Sequence, residues 1–221
     1  MSHQQLKPLV TILATATIIT TIMYIILKQT DFSSPKQLYS LVSFVVLVDN
    51  LLLLLFVKFL WKQRALRGWL VSVPNLNGCW IGEIQSTWVD PLTSKRIDPI
   101  PVILNVKQTY LGLSAVMITG EMRSESISYQ FLYDKEKQIN QLIYTYKSTP
   151  KQTVKDRSPY HFGTIAFSLI EDDCLSLLGN YWTDRKTTGT ITLTYRKRKL
   201  IYELPNEISH HPVSALRDNK S

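Results

Sequence analysis

The sequence predicts a membrane-anchored all-β protein: two N-terminal transmembrane helices followed by an eight-stranded antiparallel up-and-down β-barrel. Three observations carry this. Two apolar runs fill the first 57 residues. From Leu76 to Lys199 the chain alternates apolar and polar residues in short stretches separated by turn signals. No amphipathic helical period interrupts that second part.

The first run lies between Lys7 and Lys28 (LVTILATATIITTIMYIIL) and the second between Lys36 and Lys58 (QLYSLVSFVVLVDNLLLLLFV). The spans are placed at 8–27 and 37–57, each about the 20 residues that cross a bilayer core. Only Lys28, Asp31 and Lys36 are charged in the connection, so the spans form a hairpin. Lys58, Lys62, Arg64 and Arg67 follow the second run, and this cluster is expected to stay cytoplasmic. The N-terminus then lies on the same side, the barrel is cytoplasmic, and the short loop faces out. A signal peptide is disfavoured by the length of the first run, the lack of a small-residue cleavage site and the second span that follows at once.

Charge separates the two halves. Residues 1–68 hold seven Lys/Arg against Asp31 and Asp49, while residues 69–221 hold eighteen against fifteen Asp/Glu. Most of the net charge of +8 therefore sits beside the membrane, where it attracts anionic lipid. The remainder is only mildly basic, which argues against a general DNA or RNA binder and leaves room for a small anionic ligand. Cys79 and Cys174, with no CxxC spacing, read as ordinary buried thiols in a reducing compartment.

Asp49 interrupts the second span. A lipid-facing carboxylate at that depth costs about 2.5–3.5 kcal/mol on insertion scales. It is expected to be neutral or hydrogen-bonded to the antiparallel first span near Thr15 and Thr17, or to form a polar seam when several hairpins assemble. The first span is rich in Ala and Thr, which permits close helix packing.

Eight strands are expected, at 78–87, 99–109, 111–121, 125–134, 139–148, 160–171, 174–183 and 188–197. Ile100, Val102, Leu104 and Val106 share one face; so do Ile127, Tyr129, Phe131 and Tyr133, and so do Ile191, Leu193 and Tyr195. Full closure would remove exposed edges, and eight strands leave a lumen filled by side chains or wide enough for one small ligand. Domain limits follow: 1–68 for the hairpin and its basic connector, 69–204 for the barrel, 205–221 for a flexible tail. Gly78-Cys79-Trp80 is a G-x-W at the start of the first strand, as in calycins, where the Trp closes one barrel end. Residues 91–99 form a longer loop at a barrel mouth.

No HExxH, GxSxG, P-loop or dinucleotide-binding glycine motif occurs, so catalysis is not expected. His3, His161, His210 and His211 lack metal-ligand spacing, and the last two read as a solvated tail feature. The densest candidate site is the last hairpin, GNYWTDRKTTGTITLTYRKR, at 179–198. It collects Tyr181, Trp182, Arg185, Lys186, Tyr195 and Arg196. Rings that stack on bases and arginines that grip phosphates are what a nucleotide requires. The same residues also make an ordinary hairpin with a solvated basic turn and an aromatic core. Tyr129, Tyr144 and Tyr146 carry the same ambiguity.

Two N-terminal spans, a basic connector, a barrel opening on G-x-W and a Y-W-T-D-R-K-T-T-G-x-I hairpin resemble a known family. It is that of the SMODS-associated two-transmembrane, β-strand-rich effectors of bacterial CBASS antiphage systems. The resemblance covers residues 9 to 199. It implies a receptor and effector in one inner-membrane chain, with no cofactor. The ligand would be a cyclic dinucleotide made by a partner CD-NTase. Binding would drive homo-oligomerisation, disruption of the inner membrane by the hairpins, and abortive infection. It places ligand binding on Tyr181, Arg185, Arg196, Trp80 and Tyr195, and assembly on Asp49 and Thr17. If Ile191 and Tyr195 face the lumen, Arg196 points outward. The alternatives are a membrane-tethered calycin carrying a lipid or apolar molecule, and an anchor that recruits a protein through the barrel surface.

Overall fold

The computed structural model describes residues 3–28, 33–66, 68–91, 93–134, 136–169, 176–205 and 211–214. Cys174, Asp172, Asp173, His210 and most of the expected tail lie outside these. The chain divides into two compact units: residues 1–74 with Thr109–Gly112, and the remainder.

The first unit is built on α1 (His3–Lys28) and α2 (Pro35–Lys58). Both contain segments long and apolar enough to cross a membrane. Threonines inside α1 bond back to their own helix: Thr11 to the Lys7 carbonyl at 3.0 Å, Thr15 to Thr11 at 2.8 Å and Thr20 to Ala16 at 2.8 Å. This satisfies their hydroxyls without water. Pro35 opens α2, where its missing N–H costs nothing. The helices run antiparallel. Tyr24 bonds Ser40 at 2.8 Å and stacks obliquely on Phe44 at 5.2 Å. Deeper in, Thr17 Oγ1 donates to Asp49 Oδ2 at 2.5 Å. Asp49 is only 8% exposed, and its Oδ1 has no partner among the described residues. Thr15, the other expected partner, turns to its own helix at Thr11 and Ile12. Beyond α2, Phe56, Trp61, Val71 and Tyr110 form a buried cluster, with Tyr110 edge-on to Phe56 at 4.9 Å.

The second unit is a closed antiparallel barrel in which each strand pairs with its sequence neighbour and β1 closes on β8. The strands are β1 (Gly78–Ser86), β2 (Ile100–Gln108), β3 (Leu113–Thr119), β4 (Met122–Asp134), β5 (Ile139–Pro150), β6 (His161–Ser168), β7 (Ser176–Thr183) and β8 (Thr188–Lys197). This is the expected eight-strand meander. Period two is visible in the burial: on β8 Ile191 and Leu193 are buried while Thr190, Thr192 and Thr194 are exposed. Strand ends differ by a few residues from expectation. β3 stops at Thr119 because Glu121 enters a turn, and β2 gives way to a Thr109–Gly112 turn closed at 2.8 Å.

Trp80 is 1% exposed. Its indole N–H donates to the Leu76 carbonyl at 3.0 Å, and its ring meets Tyr195 edge-on at 5.3 Å. It seals the end of the barrel at which β1 begins and β8 finishes.

Candidate functional site

Alternating strand direction gathers the C-terminal ends of β1, β3, β5 and β7 and the N-terminal ends of β2, β4, β6 and β8 at one rim. A cavity of about 180 Å³ opens there. Its floor is aliphatic, from Ile84, Met117, Ile165 and Ile191. Its wall carries Trp88 and Ile97 from the β1–β2 connection, the loop expected at a barrel mouth. Val89 and Arg96 bridge across that loop, and a turn at Asp90 closes it.

Two tyrosines reach into the cavity, and a glycine makes room for each. The Tyr181 ring crosses over Gly189, its β8 register partner, and its hydroxyl donates to Ser86 Oγ at 3.0 Å. A Cβ on Gly189 would meet Tyr181 Cε1 at 2.6 Å. On β6, a Cβ on Gly163 would collide with the Tyr146 phenol. Burial raises the phenol pKa of both tyrosines, so each stays a neutral donor and ring surface at physiological pH.

The charges sit at the rim. Arg185 lies in the β7–β8 turn, held by Thr183 N–H to the Thr187 carbonyl at 3.0 Å and by Asp184 bonding β6 at Phe162. Its guanidinium bonds Ser158 Oγ at 3.1 Å and the Pro159 carbonyl at 3.4 Å, and lies 3.4 Å from His161 Nδ1. Among the described residues these bonded partners are neutral; burial, with a further push from Arg185, lowers the His161 pKa. Arg157, in the β5–β6 connection, is instead neutralised from within. It grips Glu121 at two points, Nη1 to Oε2 at 3.0 Å and Nη2 to Oε1 at 2.6 Å. Glu121 is 4% exposed. Burial alone would raise its pKa, but hydrogen bonds from His211, Arg157 and Ser214 outweigh it and hold the carboxyl at about 2.

The cavity brings together only part of the site read from sequence. Tyr181 and Arg185 line it. Trp80, Tyr195 and Arg196 do not. Arg196 is exposed at the far end of β8, whose ten residues span about 30 Å at roughly 3.3 Å each. Strand polarity explains the separation: a hairpin's turn and its open end lie at opposite barrel rims, so one small ligand cannot touch both. Glu121, Arg157 and Trp88 also line the cavity and were not singled out; Tyr146, left open between core and site, and His161, set aside for lack of metal spacing, line it too. His211, expected to be solvated, is buried against Glu121, its Nδ1 3.0 Å from Oε1. The described residues 211–214 of the expected flexible tail are packed on the barrel because His211 and Ser214 find partners there. No motif marks this cluster; the β4–β5 hairpin brings Glu121 beside the segment that carries Arg157, and the returning tail adds Ser214.

Residues 71–195 match the family described as Cap15, cyclic dinucleotide receptor domain. The chain belongs to that family. It is also 26% identical over 153 residues to the CD-NTase-associated protein 15 of Staphylococcus schleiferi, covering 69% of this chain and 78% of that one. The expected resemblance thus holds at family level: this is a CBASS effector of the Cap15 type. Cap15 domains are receptors and not a catalytic family, and a cyclic dinucleotide is a ligand, not a cofactor. A lipid-carrying calycin would call for an uncharged lumen, whereas Glu121, Arg157 and Arg185 line this Cap15 cavity.

Proposed function

We propose that this cavity binds the cyclic dinucleotide, with Tyr181 and Arg185 as its principal contacts. One observation supports the assignment above others: a half-buried tyrosine and an arginine whose bonded partners are neutral line the same cavity. Arg185 supplies charge for a phosphate, and the rings of Tyr181, Tyr146 and Trp88 supply flat surface for bases. Trp80, Tyr195 and Arg196 take structural or surface roles in this reading.

The effector step follows from the first unit. The barrel is cytoplasmic and the two helices span the inner membrane. Nucleotide binding favours an oligomer, the hairpins cluster, and the membrane fails, ending the infected cell before phage release. Asp49 supports clustering. A single hairpin satisfies one carboxylate oxygen through Thr17 and leaves Oδ1 without a donor. In hydrocarbon such a group costs free energy, and because Oδ1 is buried within the hairpin a neighbouring one recovers that cost only as the two helices part to share the carboxylate. The ligand shifts assembly only by as much as it binds the assembled state better.

Calorimetry of the full chain in detergent against cyclic di- and trinucleotides tests the receptor step. Liposomes loaded with dye test the effector step. Micromolar binding by one compound, with leakage at the same concentration, is the expected result. No binding by any of them overturns the site, and binding without clustering or leakage overturns the membrane step alone.

A further inference from the structure

Residues 211–214 come from the far end of the chain and sit on both partners of one ion pair. Ser214 Oγ donates to Glu121 Oε1 at 2.6 Å and accepts from Arg157 Nη2 at 2.8 Å. His211 Nδ1 lies 3.0 Å from the same carboxylate oxygen. His211 and Val213 line the cavity itself, and Pro212 is buried between them. The segment therefore occupies cavity space and does not lie on the outer face of the barrel.

Size gives this occupancy a meaning. With the segment seated, the cavity holds about 180 Å³. Drug-sized ligands fill clefts of about 300–1,000 Å³, and a cyclic dinucleotide, with two nucleosides and two phosphates, belongs at the upper end. Most of the cavity wall is strand, fixed by ladder hydrogen bonds on both sides. Residues 211–214 belong to no ladder.

We infer that His211–Ser214 is a built-in occupant of the ligand cavity, that the segment and a cyclic dinucleotide exclude one another, and that binding expels the C-terminal end of the chain. This rests on the cavity being the nucleotide site. The exchange is chemically matched. Leaving, the segment takes two polar contacts from Glu121 and one acceptor from Arg157. An entering nucleotide brings N–H donors on its bases for Glu121 and a phosphate oxygen for the Arg157 Nη2 donor that Ser214 gives up. Expulsion also turns an event inside a closed barrel into a change outside it, where a second chain can respond.

An occupant weakens apparent affinity by the fraction of time the cavity is open. A segment seated nine-tenths of the time costs about tenfold. Two proteins with the whole barrel test this in detergent: the chain truncated after residue 205, and the chain carrying Val213→Asp, which sets a carboxylate in the cavity that Glu121 also lines. Each is titrated with cyclic di-AMP, cyclic di-GMP and cyclic GMP–AMP next to the unaltered chain, with hydrogen exchange of 211–221 followed in parallel. Both variants are expected to bind about tenfold tighter or more, and the unaltered chain to lose protection of the segment on ligand addition. Unchanged or weaker binding by the variants, with binding retained by the unaltered chain, overturns the inference and leaves the nucleotide site standing. No binding by any of the three proteins removes the site and the inference together.

Discussion

Tyr181 reaches Ser86 across a strand that lies between them. The two residues sit on β7 and β1, and Gly189 of β8 pairs in register with both. The 3.0 Å hydrogen bond exists because the intervening position has no side chain. Gly189→Ala is expected to displace the Tyr181 ring, since the added methyl also collides with the Gln85 carbonyl. Overpacking of this kind costs about 1–3 kcal/mol. Tyr181→Phe, which loses one partly buried bond, should cost about 1 kcal/mol. Denaturant melts of the two variants check the order, and nucleotide affinity should fall in both.

Arg185 and Arg196 are expected to behave oppositely. Arg185→Ala removes a charged contact worth about 1.5–3 kcal/mol, a loss of roughly ten- to a hundredfold in nucleotide affinity, while the barrel stays folded. Arg196→Ala, at the other rim, should leave affinity unchanged. Calorimetry with circular dichroism as the folding control separates them. Equal losses in both would move the ligand away from the cavity.

The Glu121 carboxyl sets an acid limit on the barrel. Its folded pKa of about 2 lies below its ordinary value of 4.5. A depressed carboxylate contributes stability that is complete above pH 4.5 and is lost as pH falls toward 2. The shift corresponds to roughly 3 kcal/mol, shared among the Arg157, His211 and Ser214 contacts. The difference in melting temperature between the unaltered chain and Glu121→Gln should therefore be largest near pH 7 and shrink toward pH 2. A gap that stays constant over that range would show that the charged pair contributes nothing of its own.

Asp49→Leu is expected to uncouple sensing from membrane damage. The substitution removes the carboxylate and its bond to Thr17 without touching the barrel. Nucleotide affinity should remain as it was, while ligand-driven dye release from liposomes falls by about tenfold or more. Thr17→Val, which leaves Asp49 in place without that donor, should cluster even without ligand. Full leakage from Asp49→Leu would exclude the polar seam.

The barrel could be read from the sequence because period two is a local property, visible within the five residues Ile191–Tyr195 of β8. The Thr17–Asp49 bond was equally accessible, since a short loop fixes two antiparallel helices in depth. The cavity was only half legible. Tyr181 and Arg185 stand four residues apart at a turn, so composition singles them out. Arg196 shared their hairpin and was grouped with them, although strand direction alone puts it at the other rim. Glu121 and Arg157 are 36 residues apart and meet because the β4–β5 ladder sets Met122 opposite Pro150, while Ser214 is 57 residues beyond Arg157 and folds back onto both. No spacing rule spans such distances, and a Glu in a turn or an Arg in a loop looks like ordinary surface.

The nearest-neighbour order of the strands also governs when this receptor comes into being. Seven of its eight strand pairings join segments adjacent in sequence, so hairpins can form as the chain is made. The β1–β8 seam alone must bring together residues about 110 positions apart, as in Trp80 with Tyr195 or Ser86 with Gly189. That closure spans far more chain than any hairpin, and the seam can form only after β8 has been made. The seam also completes the Tyr181–Gly189–Ser86 row. A chain whose first seven strands have formed therefore has no closed cavity until β8 docks on β1, and an unfinished barrel offers the proposed site to no ligand.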